Sequence, residues 1–261
     1  MLRYILITII SLLAAVQVCT AKSAVKERQN LGRPDLAAIK AAVNDENSKY
    51  YYPTLLKSFL SNDTTMTSEA FQYFYYGTFF QEDYDPYRES AFAKNIEALA
   101  PVYAKTKRTR AERQQMLECA TKVLNDNPLD IGQLTNRVYV YEQNGKYDLA
   151  KIWQYKINHL LLVIAASGTG LDPENAWIVV YPQHEYEFLN ISGYTATAQQ
   201  FEAPHYDHIM IVQKNASDPT GYYFDISELL KQYFIKHPAD LKEPIDEDEA
   251  PDEELEDEET E

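Results

Sequence analysis

The hydrophobic period changes once along this chain, and that change divides it. As far as Ser167-Gly168-Thr169-Gly170, apolar residues recur every three or four positions, the spacing that gathers them on one helix face. Beyond Asp172-Pro173 they run continuously or alternate, as strands do. Pro34 opens a helix carrying Leu36, Ile39 and Val43, and Pro53 opens a second with Leu55, Leu56, Phe59 and Leu60. Thr67 is an N-cap for a third, with Phe71, Phe74, Tyr75 and Phe79 on its stripe. Further helices are expected over residues 88–103, 109–125, 130–143 and 147–166. Strands are expected over 176–181, 195–201, 206–213 and 221–226, the last two joined as a hairpin through the turn cluster Ser217-Asp218-Pro219-Thr220-Gly221. Residues 185–191 fit neither period, and Ser227 can cap a final helix reaching Lys236. Helices first and strands afterwards mean α+β: a helical-hairpin region over 34–166, then a small, mainly antiparallel sheet with flanking helices over 167–238, packed on the helices.

Both ends stand apart from this body. Arg3, an apolar stretch over residues 5–18 and the small residues around Ala21 form a secretory signal, with cleavage expected after Ala21. A lipoprotein-type cut is the alternative and would leave Cys19 as an anchored first residue. The apolar stretch is shorter than the roughly 20 residues a bilayer span needs, so no transmembrane span is expected in the mature chain. The setting this implies is periplasmic or secreted. After cleavage Cys119 is the only thiol; with Met116, Ala120 and Val123 at helical spacing around it, it reads as core. Residues 240–261 contain 14 acidic side chains and one lysine, so the tail over 239–261 carries most of the net charge of −16 and is expected to be disordered. With no basic patch, nucleic acid is excluded as a partner.

Two resemblances add to this. Asn127-Pro128, Asn144-Gly145 and Ala150 stand at tetratricopeptide-like spacing, over about one repeat, although any antiparallel helix pair wants the same residues. A longer series is Tyr51-Tyr52-Pro53, Phe74-Tyr75-Tyr76-Gly77, Tyr84-Asp85-Pro86-Tyr87, Ser167-Gly168-Thr169-Gly170, Ala176-Trp177-Ile178-Val179, Glu185-Tyr186, Tyr206-Asp207 and Tyr223-Phe224-Asp225. In these pieces the chain resembles a family of exported Bacteroidota proteins of unknown function, domain of unknown function 4919. The resemblance implies an envelope or secreted setting and carries no reaction with it.

Chemistry is sparse in the sequence. The Ser-Gly-Thr-Gly loop follows a helix C-terminus, the wrong end to hold a phosphate, and reads as a cap. No nucleophile elbow is present. Glu185, His205, Asp207 and His208 are the catalytic candidates, as for a hydrolase acting on envelope polymers, but His205 and His208 would point to opposite faces of a strand. No metal site and no cofactor are expected. The 21 tyrosines cluster at 50–52, 73–76 and 84–87. Tyrosine joins a flat apolar face to a polar tip, so Tyr51, Tyr75 and Tyr87 are candidates for holding a sugar or a peptide, while packing between helices is the favoured account of the clusters, since Phe71, Phe74 and Tyr75 already lie on an inward stripe. Asp63-Thr64-Thr65 is similar to an O-glycosylation acceptor triplet. The reading that follows is an exported, non-catalytic module binding an envelope protein, a peptide or a glycan through its helical half, with the hydrolase as the alternative.

Overall fold

A computed structural model describes residues 31–241. The signal expected over residues 1–21 and the acidic tail beyond residue 241 lie outside the described residues. The fold is α+β: among the described residues ten α-helices precede or flank one four-stranded mixed sheet. The helices are α1 (Leu36–Asn44), α2 (Tyr52–Leu60), α3 (Ser68–Gly77), α4 (Ala93–Ala98), α5 (Ala100–Tyr103), α6 (Arg110–Asp126), α7 (Ile131–Gln143), α8 (Tyr147–Ala166), α9 (Gln183–Ile191) and α10 (Ser227–Lys236). The strands are β1 (Trp177–Ile178), β2 (Ala196–Glu202), β3 (Tyr206–Ile211) and β4 (Gly221–Asp225).

Local chemistry sets the helix starts. Asp35, Thr67 and Asp130 each accept a backbone N–H of the first turn, and Thr109 with Glu112 forms a reciprocal capping box. At α10 the acceptor is Asp225 rather than Ser227: its carboxylate takes the Ser227 N–H at 3.0 Å. The helix expected over 88–103 is shorter and broken. Asp126 accepts from Arg88 Nη1 (3.1 Å), Ser90 Oγ (3.3 Å) and the Ala91 N–H (3.4 Å), which holds the first residues in a turn, and Pro101 starts the separate α5.

α3 is the hub of the helical half. Phe71, Phe74, Tyr75 and Tyr76 are fully buried between α8 and the α1–α2 pair, and each apolar ring removed from water contributes about 1.5–3 kcal/mol. The sheet runs in the order β1-β4-β3-β2, with β1 parallel to β4 and the other pairs antiparallel. Burial alternates along β3, so Asp207, Ile209 and Ile211 face the helices, and Tyr206, His208 and Met210 the opposite side. α9 lies on the inner face, where Phe188 meets Trp177 edge-on at 4.7 Å between ring centres.

β1 has two residues although the apolar run has six. The reason lies about a hundred residues earlier in the chain. The Tyr76 hydroxyl donates to the carbonyls of Val163 (3.3 Å) and Ile178 (3.2 Å), the Val180 N–H donates to the Tyr75 hydroxyl (3.3 Å), and the Tyr84 hydroxyl donates to the Val180 carbonyl (2.6 Å). Tyrosine side chains thus satisfy backbone groups that a further strand would otherwise pair.

The Gly-rich loop is consumed by the fold. The N–H groups of Thr169 and Gly170 both donate to the Asn175 carbonyl, at 2.9 and 2.8 Å. Gly170 has φ +70°, and a Cβ there would lie 2.6 Å from the Trp177 ring. Arg33 fastens the same corner by donating to the carbonyls of Ser167 and Ala176 and pairing with Asp225 at 2.8 Å.

Candidate functional site

A cleft of about 440 Å³ lies where the helical half meets the segment leading into α9. Tyr52 and Pro53 come from the start of α2, Phe74 from α3, Asp83 to Pro86 and Arg88 from the following loop, Asp126 to Asp130 from the α6–α7 turn, and Tyr181 and Gln183 from the entry to α9. Prolines at 53, 86 and 128 fix three of these turns. Asp85 shapes its own loop by accepting the Tyr87 N–H at 3.0 Å. The loop is tied down from α10. Lys236 donates to the carbonyls of Tyr84 and Glu82, and His237 Nε2 contacts Asp85 at 3.0 Å.

Rings and carboxylates share the lining. Burial pushes the Tyr52 phenol up to about 12 and raises Tyr181 further, so both stay protonated as donors. Asp126 is matched by Arg88 at 3.1 Å, and Asp130 caps α7 through the Gln133 N–H at 2.8 Å, with burial raising its pKa. Asp83 is exposed and forms no ion pair among the described residues. Such a surface can stack a flat or aliphatic group on its rings and accept hydrogen bonds from it.

None of the sequence-derived candidates lines this cleft. Tyr75 is fully buried, and its hydroxyl donates to His184 Nδ1 at 2.8 Å. Since the Leu129 carbonyl can only accept, the proton of His184 sits on Nε2 (3.0 Å). Burial drops this histidine to about 3, which keeps it neutral. Tyr51 is half-buried beside the cleft residue Tyr52, and Tyr87 is 50 % exposed one residue beyond Pro86. The Tyr50–Tyr52 and Tyr84–Tyr87 clusters thus mark the right segments, while the ring that lines the cleft is the neighbour of the one singled out.

The four catalytic candidates divide in two. Glu185 and Asp207 meet between α9 and β3, both buried. No donor forms a hydrogen bond to either Glu185 oxygen, and burial, then the Asp207 charge, hold its carboxyl well above the usual range. Asp207 is raised by burial and steadied by the Gln199 side chain, which also accepts from the Tyr186 hydroxyl. The Tyr87 phenol, raised first by burial, also feels both carboxyls, and none of the three lines the cleft. The histidines lie elsewhere: His208 is on the outer face, stacked on Tyr223 at 4.0 Å and 3.0 Å from Glu202, while His205 is 3.9 Å from Asp225. Among the described residues no three His, Cys, Asp or Glu side chains converge as metal ligands.

Two further buried charges carry no sequence signal beyond their residue type. Glu187 accepts the Gly132 N–H at 2.8 Å, and burial with Asp130 nearby pushes it up to about 8. Lys156 lies between the rings of Phe59 and Trp153, donates to Asn62 at 2.7 Å and is lowered by burial to about 8.

The motifs that organise this architecture lie within one family signature. The family described as Domain of unknown function (DUF4919) matches residues 37–234, more than half of the chain. The chain belongs to that family. Its matched span contains the cleft, the tyrosine contacts to β1 and the sealed carboxyl pair. No curated protein and no solved structure matches the chain. Among the described residues no helix is long and apolar enough to cross a membrane.

Proposed function

We propose that this family member is an exported envelope or secreted module whose task is non-catalytic binding of a protein, peptide or glycan through the helical half. The observation that carries this is the cleft: about 440 Å³ walled by Tyr52, Tyr84 and Tyr181 with aspartates at its mouth, a volume suited to one side chain or one sugar unit. The leader over residues 1–21 supports export, and N-terminal sequencing of protein recovered outside the cytoplasm should begin at Lys22. Binding is tested by ligand-observed NMR with short peptides and oligosaccharides. Tyr52→Ala and Tyr181→Ala should weaken any ligand found by about tenfold or more; equal binding by both variants would take the cleft out of the reading.

The hydrolase alternative draws on one observation, the meeting of Glu185 with Asp207, two carboxyls whose surroundings hold a proton as a general acid must. Neither lines the cleft, so a substrate would need the Tyr87 loop to move away. An envelope polymer degraded by the wild type and untouched by Glu185→Gln would favour it.

A further inference from the structure

Charge in the cleft is one-sided. Four aspartates, Asp83, Asp85, Asp126 and Asp130, face a single arginine, Arg88, giving one positive minus four negative, or −3, with each carboxylate counted as ionised. Most of these have work within the fold. Asp126 is paired with Arg88, Asp130 caps α7, and Asp85 is held by His237. Asp83 is the exception. Among the described residues it is exposed and forms no ion pair, and its charge acts on the phenols of both Tyr52 and Tyr181. Among the described residues the Tyr181 hydroxyl makes no hydrogen bond, so a phenol that feels the Asp83 charge also has a polar tip without a partner. Lys236 and His237, the basic side chains beside this loop, are engaged with its carbonyls and with Asp85.

The geometry points to a cationic occupant: the cleft takes a lysine or arginine side chain of a peptide segment, its stem along the tyrosine rings and its charge against Asp83. This rests on the cleft being the binding site. The rings supply cation–π attraction and cover the aliphatic stem, and Asp83 supplies the counter-charge that the fold leaves unmatched. A neutral sugar would use the rings and leave the excess charge uncompensated, and an acidic segment would be repelled.

Titration calorimetry on the full chain tests this with three blocked tripeptides, acetyl-Gly-X-Gly-amide, where X is lysine, arginine or norleucine, and with a neutral trisaccharide. Lysine or arginine should bind at least about tenfold more tightly than norleucine, with an affinity that falls as salt rises. Asp83→Asn, an exposed substitution, should erase most of that preference, and Tyr181→Ala should weaken all binding. If norleucine or the trisaccharide binds as well as lysine, and Tyr181→Ala weakens it while Asp83→Asn does not, the cleft stands and the cationic occupant falls. If lysine and arginine peptides bind both variants like the wild type, the cleft reading itself fails. No binding of either cationic peptide at millimolar concentration also overturns the inference.

Discussion

Two groups of acids lie near the loop at residues 85–87, and their environments oppose each other. In one, Asp83, Asp85, Asp126 and Asp130 line an open cleft, where three are matched by an arginine, a histidine or helix N–H groups. In the other, Glu185 and Asp207 are sealed between α9 and β3, with no donor on Glu185 and a proton retained by burial. Burial therefore takes the charge from Glu185, whereas Asp83 stands exposed to water. Under the proposed function recognition falls to the cleft, and the sealed pair is an internal contact between α9 and β3.

The largest effect that could break this contrast comes from the buried tyrosine wall of α3. Tyr75→Ala should cost about 3–5 kcal/mol in denaturant unfolding, because it leaves a hole beside α8 and strips partners from His184 and Val180. Tyr75→Phe, which keeps the ring, should cost about 1–3 kcal/mol by leaving those groups unsatisfied. Neither should alter ligand affinity while the protein remains folded; a selective loss of affinity would show that the wall is part of the site.

Next comes pH. In the unfolded chain a glutamate releases its proton near 4.5, whereas Glu187 keeps it to about 8. Between those values the folded state holds more protons, so stability falls as pH rises through this window and the full penalty remains above it. Lys156 works the other way: its folded value is about 8 against 10.5, so stability lost below pH 8 returns as pH rises toward 10.5. Together these two groups place a stability minimum near pH 8. Glu187→Gln should flatten the acid-side slope in unfolding experiments run at a series of pH values, and an unchanged slope would remove Glu187 as its source.

Smaller effects are expected at the acids themselves. Glu185→Gln should be neutral or stabilising by about 1 kcal/mol, since an amide can donate to Asp207 without carrying charge. Asp83→Asn should stay within about 0.5 kcal/mol of the wild type in stability, as exposed substitutions do. A large loss of stability at Asp83, or of stability at Glu185→Gln, would reverse the assignment of the two groups.

What was legible in the sequence was local. Thr109 with Glu112 announces its own helix start, Tyr147–Ala166 is bounded by its own Gly-rich exit, and the alternation through Tyr206–Ile211 sends Asp207 and His208 to opposite faces. What was not legible depended on distant partners. The six-residue apolar run becomes a two-residue strand because hydroxyls of Tyr75, Tyr76 and Tyr84 occupy its backbone. The expected helix over 88–103 is unwound at its start by Asp126, which no period in residues 88–103 reveals. Glu185 and Asp207 stood out by residue type, but their meeting needed α9 to be a helix lying on the inner face of β3. Tyr52, Asp83 and Tyr181 carry no motif, and only the fold brings them around one space.

The most direct test of the account is amide chemical-shift mapping on the full chain during titration with a blocked lysine peptide. Shifts should cluster in residues 52–56, 81–90, 126–130 and 181–183, with the inner-face residues 207, 209 and 211 unmoved. Shifts centred on Glu185 and Asp207, with the cleft residues silent, would contradict it.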